Sequence, residues 1–405
     1  MSRRTLQETT ANTEFCVSVV SDYESLLALK PVWNAVVEEA RVGHPFLRHE
    51  WACTWWESFG AGHELHVLKV NAGSETVAIA PLMLSRARIY GVPVRRLGFM
   101  ANAHTPRCDF VIGHRFAGAY RAIWDHLRNI AGRWDVLELC QVPSGSSTLD
   151  ELAQLAAQDD FRVGVWHSGN SPYIPLCGSW ESYDRGLKRK HQGGRSFPAF
   201  LRNRIKRLSA LGTVAVEEVS ALDCMAAALE DGFRIEAAAW KGRAGSAIGS
   251  HQELRRFYTR LGEHAVEHGW LRLQFLTVNG RRIAFAYTLC AERKLYLLKP
   301  GYDPAYARYS PSKVLCYLVL QNAFASGLAE YDFLGEADDW KLEWAKDVRP
   351  HYWLYVFPNR LRPTLLHTAK FRLVPARSRV RDMMRVALRS LRHGNGGPPR
   401  ESGRV

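Results

Sequence analysis

The chain has 405 residues, of which 47% are hydrophobic and 23% charged, ordinary values for a globular protein that exclude wholesale disorder. Its formal charge of +14, from 54 Lys and Arg against 40 Asp and Glu, favours anionic partners. The excess is uneven: 185–207 holds nine basic residues and no acidic one, 359–405 holds twelve basic and two acidic, and the remainder is slightly acidic.

The polar start, MSRRTLQETTANTEF, has no apolar core of a signal peptide, and 1–14 is expected to be disordered. No apolar run approaches the ~18 residues of a membrane-spanning helix. The eight Cys are never closer than 26 positions and form no CxxC pair. They read as reduced thiols in a cytoplasm, and no metal site is expected.

In the first half the pattern predicts strands at 64–70, 75–84 and 94–100, then a polar loop at 101–109, a helix at 116–131 and a strand at 134–142. The basic 179–199 segment reads as a linker. Helices follow at 200–211 and 221–239, then a Gly-rich loop. At 252–268, Leu254, Phe257, Leu261 and Ala265 form the stripe of an amphipathic helix. Strands at 270–278 and 281–290 flank Asn279-Gly280, a strong hairpin signal. A strand at 294–299 leads through loop 301–309 to a helix opened by Ser310-Pro311 as N-cap and N1, and a strand at 329–334 follows. The strands on either side of that helix should be parallel. Both halves thus share one order, β-β-β, loop, α, β. The expected fold class is α+β, with two like domains at 15–178 and 200–360, each a mixed, mostly antiparallel sheet flanked by helices.

No GxxxxGK[ST], GxSxG or HExxH occurs, which argues against P-loop phosphoryl transfer, a nucleophile elbow and a zincin. The informative stretch is Lys299 to Lys346. There a strand delivers the chain to a helix N-terminus, a ready anion site. Ser310 and Ser312 add hydroxyls, and Lys313 adds charge.

This order, with HPFLRHEWACTWWESFG, VAIAPLML, AAAWKGRAGSAI, YDPAYARYSPSKVL and YDFLGEADDWKLEWA, resembles the GNAT acyltransferases. The subfamily it looks like is the CelD-like, cellulose-biosynthesis type. It is more distantly similar to the Fem-type peptidoglycan aminoacyltransferases. The resemblance implies transfer of an acetyl or other acyl group from acyl-CoA to an amine or hydroxyl, on a small-molecule or glycan acceptor such as a polysaccharide or envelope precursor. By resemblance, Leu298, Lys299, Tyr309, Ser310, Ser312 and Lys313 hold the donor. YARYSPSK stands where the family has Q/R-x-x-G-x-G/A, which opens the alternative of aminoacyl transfer from charged tRNA. A non-catalytic accessory role in polysaccharide synthesis is a third reading.

Acyl transfer needs a base for the nucleophile and often an acid for the leaving thiolate. Asp332, in an apolar strand, and Glu336 are the candidate bases. Lys341 is a candidate for orienting an anion, and Tyr302 and Tyr309 are candidate acids. Trp240 and Lys241, beside the Gly-rich loop, are candidates for acceptor binding. So are His104, Arg107 and Asp109 in the first-half loop. The basic segments lack a nucleic-acid fold signature, so no sequence-specific nucleic-acid partner is expected. Across 364–393 an apolar stripe faces a basic one, as in helices that lie on anionic membranes or dock on their own domain. A place in the cytoplasm or on its membrane face is expected.

Overall fold

The computed structural model describes residues 14–187, 196–238 and 248–374. Trp240, Lys241 and most of the basic tail lie outside these.

Thirteen strands among the described residues form one sheet. In chain order they are β1 (Phe15–Val20), β2 (Glu64–Ala72), β3 (Glu75–Ile89), β4 (Val92–Phe99), β5 (Val111–Ile112), β6 (Val136–Pro143), β7 (Arg162–Pro175), β8 (Val214–Val219), β9 (Leu271–Val278), β10 (Arg281–Ala291), β11 (Lys294–Tyr302), β12 (Glu330–Asp332) and β13 (Asp347–Phe357). Their order in space is β1-β2-β3-β4-β6-β13-β7-β12-β11-β10-β9-β8, with β5 on β3. The parallel pairs expected around each crossover helix are present, β4 with β6 and β11 with β12. The hairpin at Asn279-Gly280 has both residues in the left-handed region, at φ 49° and 77°, as a type I′ turn requires.

Three features were not in the sequence reading. Helices at Lys30–Glu39 and His49–Phe59 precede β2. β7 pairs along nearly its whole length with β13 and, at Tyr173–Pro175, with β12. β13, late in the chain, lies between two first-half strands, β6 and β7. The sheet therefore runs unbroken from one half to the other.

The halves also share a core. Trp33, Phe46, Trp51 and Trp55 of the first half are buried with Phe257, Tyr258 and Tyr296 of the second. Trp51 meets Phe257 edge-on at 5.4 Å, and Phe46 meets Tyr296 at 5.2 Å. The Tyr296 hydroxyl donates to the Gly43 carbonyl at 2.8 Å, so this buried phenol keeps a partner.

Candidate active site

β11 and β12 pair over only three positions, Lys294 with Glu330 through Tyr296 with Asp332. β12 then stops while β11 continues to Tyr302, so the two part. Leu298 lies at the parting. β10 pairs Leu297 with Thr288 and Lys299 with Tyr287, which leaves Leu298 as a bulge. Bulges re-aim side chains and interrupt ladder pairing, and they cluster beside active sites.

The gap is a cavity of about 570 Å³. Leu297 to Tyr302 form one wall and Phe333 to Glu336 the other. Ser310 to Lys313 close it at the start of the Pro311–Ala325 helix. His104, Gln141, Gly169 and Ser171 of the first half also line it. One cavity thus joins the expected donor site to the half-to-half junction.

Ser310 departs from the capping role expected of it. It stands in the left-handed region at φ 52°, and its hydroxyl makes no capping bond. Such a conformation costs a non-glycine residue about 1–2 kcal/mol and tends to persist where function holds it. The Ser312 hydroxyl donates to the Gly301 carbonyl at 3.2 Å, tying helix start to β11. Lys313 lines the cavity and pairs with Glu343. Tyr309 is buried beside this end and does not line it; Arg207 and Arg308 lie over its ring at 5.4 and 4.8 Å. Through Arg207 the basic segment reaches the helix start.

Of the candidate bases, Asp332 is fully buried and does not line the cavity. It pairs with Arg107, and with Arg349 at 2.7 Å. The Ser171 hydroxyl donates to it at 3.2 Å and the Leu334 N–H at 2.8 Å. A carboxylate held by two guanidinium groups is a structural hub rather than an available base. Glu336 is exposed and lines the cavity. Lys341 also lines it, with Nζ donating to the Leu334 and Glu336 carbonyls at 2.9 and 2.8 Å. It staples the loop that carries Glu336. Tyr302, Leu298 and Lys299 are all on the cavity wall.

The first-half trio divides. His104 reaches the cavity, its Nδ1 3.2 Å from the Tyr258 hydroxyl. Arg107 does not line the cavity and pairs instead with Asp332. Asp109 turns away to the Thr148 hydroxyl at 2.5 Å, and burial pushes its carboxyl up to about 6.

Among the lining residues that the sequence did not single out are Glu236, Tyr258 and His351. Tyr258 stands next to Phe257 of the amphipathic stripe but outside the stripe itself. His351 sits in β13, a strand the pattern did not show. Its Nδ1 lies 3.0 Å from the Arg349 carbonyl, and its buried Nε2 has no partner among the described residues. Burial, reinforced by the Arg107 charge, holds the imidazole down at about 4.

Residues 195–342 match the family model of the acetyltransferase (GNAT) domain. Over those residues the second half is similar to a GNAT domain. FemX, at 12% identity and a TM-score of 0.53, aligns over 84% of this chain and 96% of its own. The C-terminal domain of a protein described as a lysylphosphatidylglycerol synthetase, from Agrobacterium fabrum, aligns at 13% identity and TM-score 0.51 over 85% and 96%. At such identities the likeness is one of fold; with the domain match and the mixed sheet it bears out the expected α+β GNAT architecture. No curated protein matches the chain.

Proposed function

We propose that the protein transfers an acyl group, acetyl in the simplest case, from acyl-CoA to an amine or hydroxyl acceptor. The observation that carries this reading is the parting of β11 and β12 at the Leu298 bulge, directed onto a helix N-terminus. Such a cleft suits a flexible thioester arm, and the helix start with Ser310, Ser312 and Lys313 suits its phosphates. CoA brings the thioester; the chain's own groups orient it. Backbone groups at the Leu298 bulge would flank the carbonyl, where N–H donors stabilise a developing oxyanion. The acceptor would enter past His104, Tyr258 and Glu336. A sugar, polysaccharide or cell-envelope precursor follows the CelD-like resemblance, and a cavity walled by both halves supports an acceptor of that size. A bacterial cytoplasmic location follows the resemblance and the eight free thiols, which suit a reducing compartment.

A second reading, aminoacyl transfer from charged tRNA, is favoured by one feature. The helix is entered through YARYSPSK, with Ser310 rather than glycine in the left-handed turn. Thermal-shift titration separates the two. Acetyl-CoA and CoA should raise the melting temperature in proportion to the logarithm of ligand excess. A shift with aminoacyl-tRNA alone would favour the second reading, and no shift with any donor would leave neither standing.

A further inference from the structure

His351 is 3% exposed, lines the cavity, and has a ring nitrogen that nothing among the described residues satisfies. Buried polar atoms without partners are rare, and each calls for a reason. Its place is built. β13 slips register against β7 between His351 and Tyr352, and against β6 between Tyr352 and Leu354. The Ser168 hydroxyl donates to the His351 carbonyl at 3.1 Å. Nδ1 faces the Arg349 carbonyl, an acceptor only, so Nδ1 carries the proton and Nε2 offers a lone pair. Arg349 is itself fixed by Asp332 and Glu330.

The neighbour across the ladder is Gly169. A Cβ there would strike the Glu336 carboxylate. Paired residues in antiparallel strands point to the same face, so the glycine leaves room for Glu336 on the face that bears His351. The other charged and titratable groups around the imidazole are Arg107, Asp332, Arg349 and His44.

We propose that His351 Nε2 accepts the acceptor's proton during acyl transfer, with Glu336 holding the acceptor beside it. This rests on the acyl-CoA reading. The acceptor N or O forms its bond to the carbonyl carbon as Nε2 takes its proton. The C–S bond then breaks, and the thiolate leaves with that proton as free CoA thiol. The neutral imidazole is restored, and no further reactant is needed.

The test uses the full chain, with free thiol from acetyl-CoA as the readout and two nucleophiles as probes. Both nucleophiles shed an N–H proton as the bond forms, but hydroxylamine is the weaker base, so its adduct gives that proton readily to water, whereas the ethanolamine adduct needs the imidazole. His351→Gln should lose about 100-fold or more in kcat with ethanolamine, the usual scale for a general base, and under tenfold with hydroxylamine. CoA affinity by calorimetry should stay within about twofold. Equal losses with both nucleophiles, or no loss with either, would overturn the assignment. Should the variant not fold, ¹⁵N spectra of the wild-type imidazole decide: an Nδ1–H tautomer is expected, and an Nε2–H tautomer refutes it. A wild-type chain that binds no CoA sinks the donor reading and His351 with it. CoA binding without the His351 effect sinks this proposal alone.

Discussion

At the scale of single residues, Asp332 shows how position alters role. In the sequence it is an acid inside an apolar strand, where desolvation commonly makes a base. In the fold it is clasped by Arg107 and Arg349 from two other segments. Removing one partner of a buried ion pair leaves uncompensated charge and costs about 3–5 kcal/mol. Asp332→Asn should therefore lower the urea midpoint strongly, while the folded fraction keeps its CoA affinity. A stable Asp332→Asn protein with turnover abolished would restore the carboxylate as a base.

Buried imidazoles also set a pH dependence. His351 and His66 are held down at about 4, chiefly by burial. In the unfolded chain they protonate near 6.5, so stability they contribute in full above that value is lost as pH falls to about 4. Asp109, raised to about 6 by burial, opposes them, since its neutral form is kept in the fold on acidification. Two groups outweigh one. Urea midpoints should fall between pH 7 and 4.5, and a flat or rising profile would contradict this balance.

At the scale of elements, local pattern revealed much of the second half. The β9–β10 hairpin, the amphipathic helix at Gln252–Glu267 and the helix after Ser310-Pro311 lie close to where periodicity and turn chemistry put them. β7 was hidden because RVGVWHSGNSPYIP reads as loop through its Gly, Asn, Ser and Pro. β13 was hidden because its partners are remote in sequence and its Pro350 and register slips break the alternation. With those strands went His351, Gly169 and Ser171. The cavity wall from Leu297 to Tyr302 was legible because it is local; the rest of the lining was not because its neighbours are made by long-range pairing.

Close approach between elements gives a sharper test. A Cβ on Gly301 would sit 2.8 Å from the Glu236 Cα, a backbone atom that cannot swing aside. Gly301→Ala should push β11 from the Leu222–Ala238 helix, lower the melting temperature and weaken CoA binding. Wild-type values for both would mean that the wall is looser than described. In the shared core, Phe257→Ala should cost about 3–5 kcal/mol by equilibrium unfolding, as large-to-small changes at buried aromatics do.

At the scale of the whole molecule, the two halves are joined by a continuous sheet and a common aromatic core, with the cavity where they meet. The charge is divided as well. Arg207 brings the first basic segment to the helix start, while the second basic segment begins at the opposite, late end of the chain. There Leu361, Leu365 and Leu373 are 81%, 61% and 62% exposed, beside Arg362, Lys370 and Arg372. No helix among the described residues is long and apolar enough to cross a membrane. We expect this end to hold the protein on anionic lipid, seen as flotation with phosphatidylglycerol liposomes that is lost at high salt. Absence of flotation at low salt would refute it.

Everything proposed for the chemistry depends on CoA lying between β11 and β12 with its phosphates at the helix start. Titration calorimetry of the full chain with CoA, repeated on Lys313→Glu with its fold checked by circular dichroism, addresses that directly. One site per chain is expected, with affinity at least about tenfold weaker in the variant, since a carboxylate there repels phosphate. No heat of binding in the wild type, or equal affinity in Lys313→Glu, would contradict the placement of the donor.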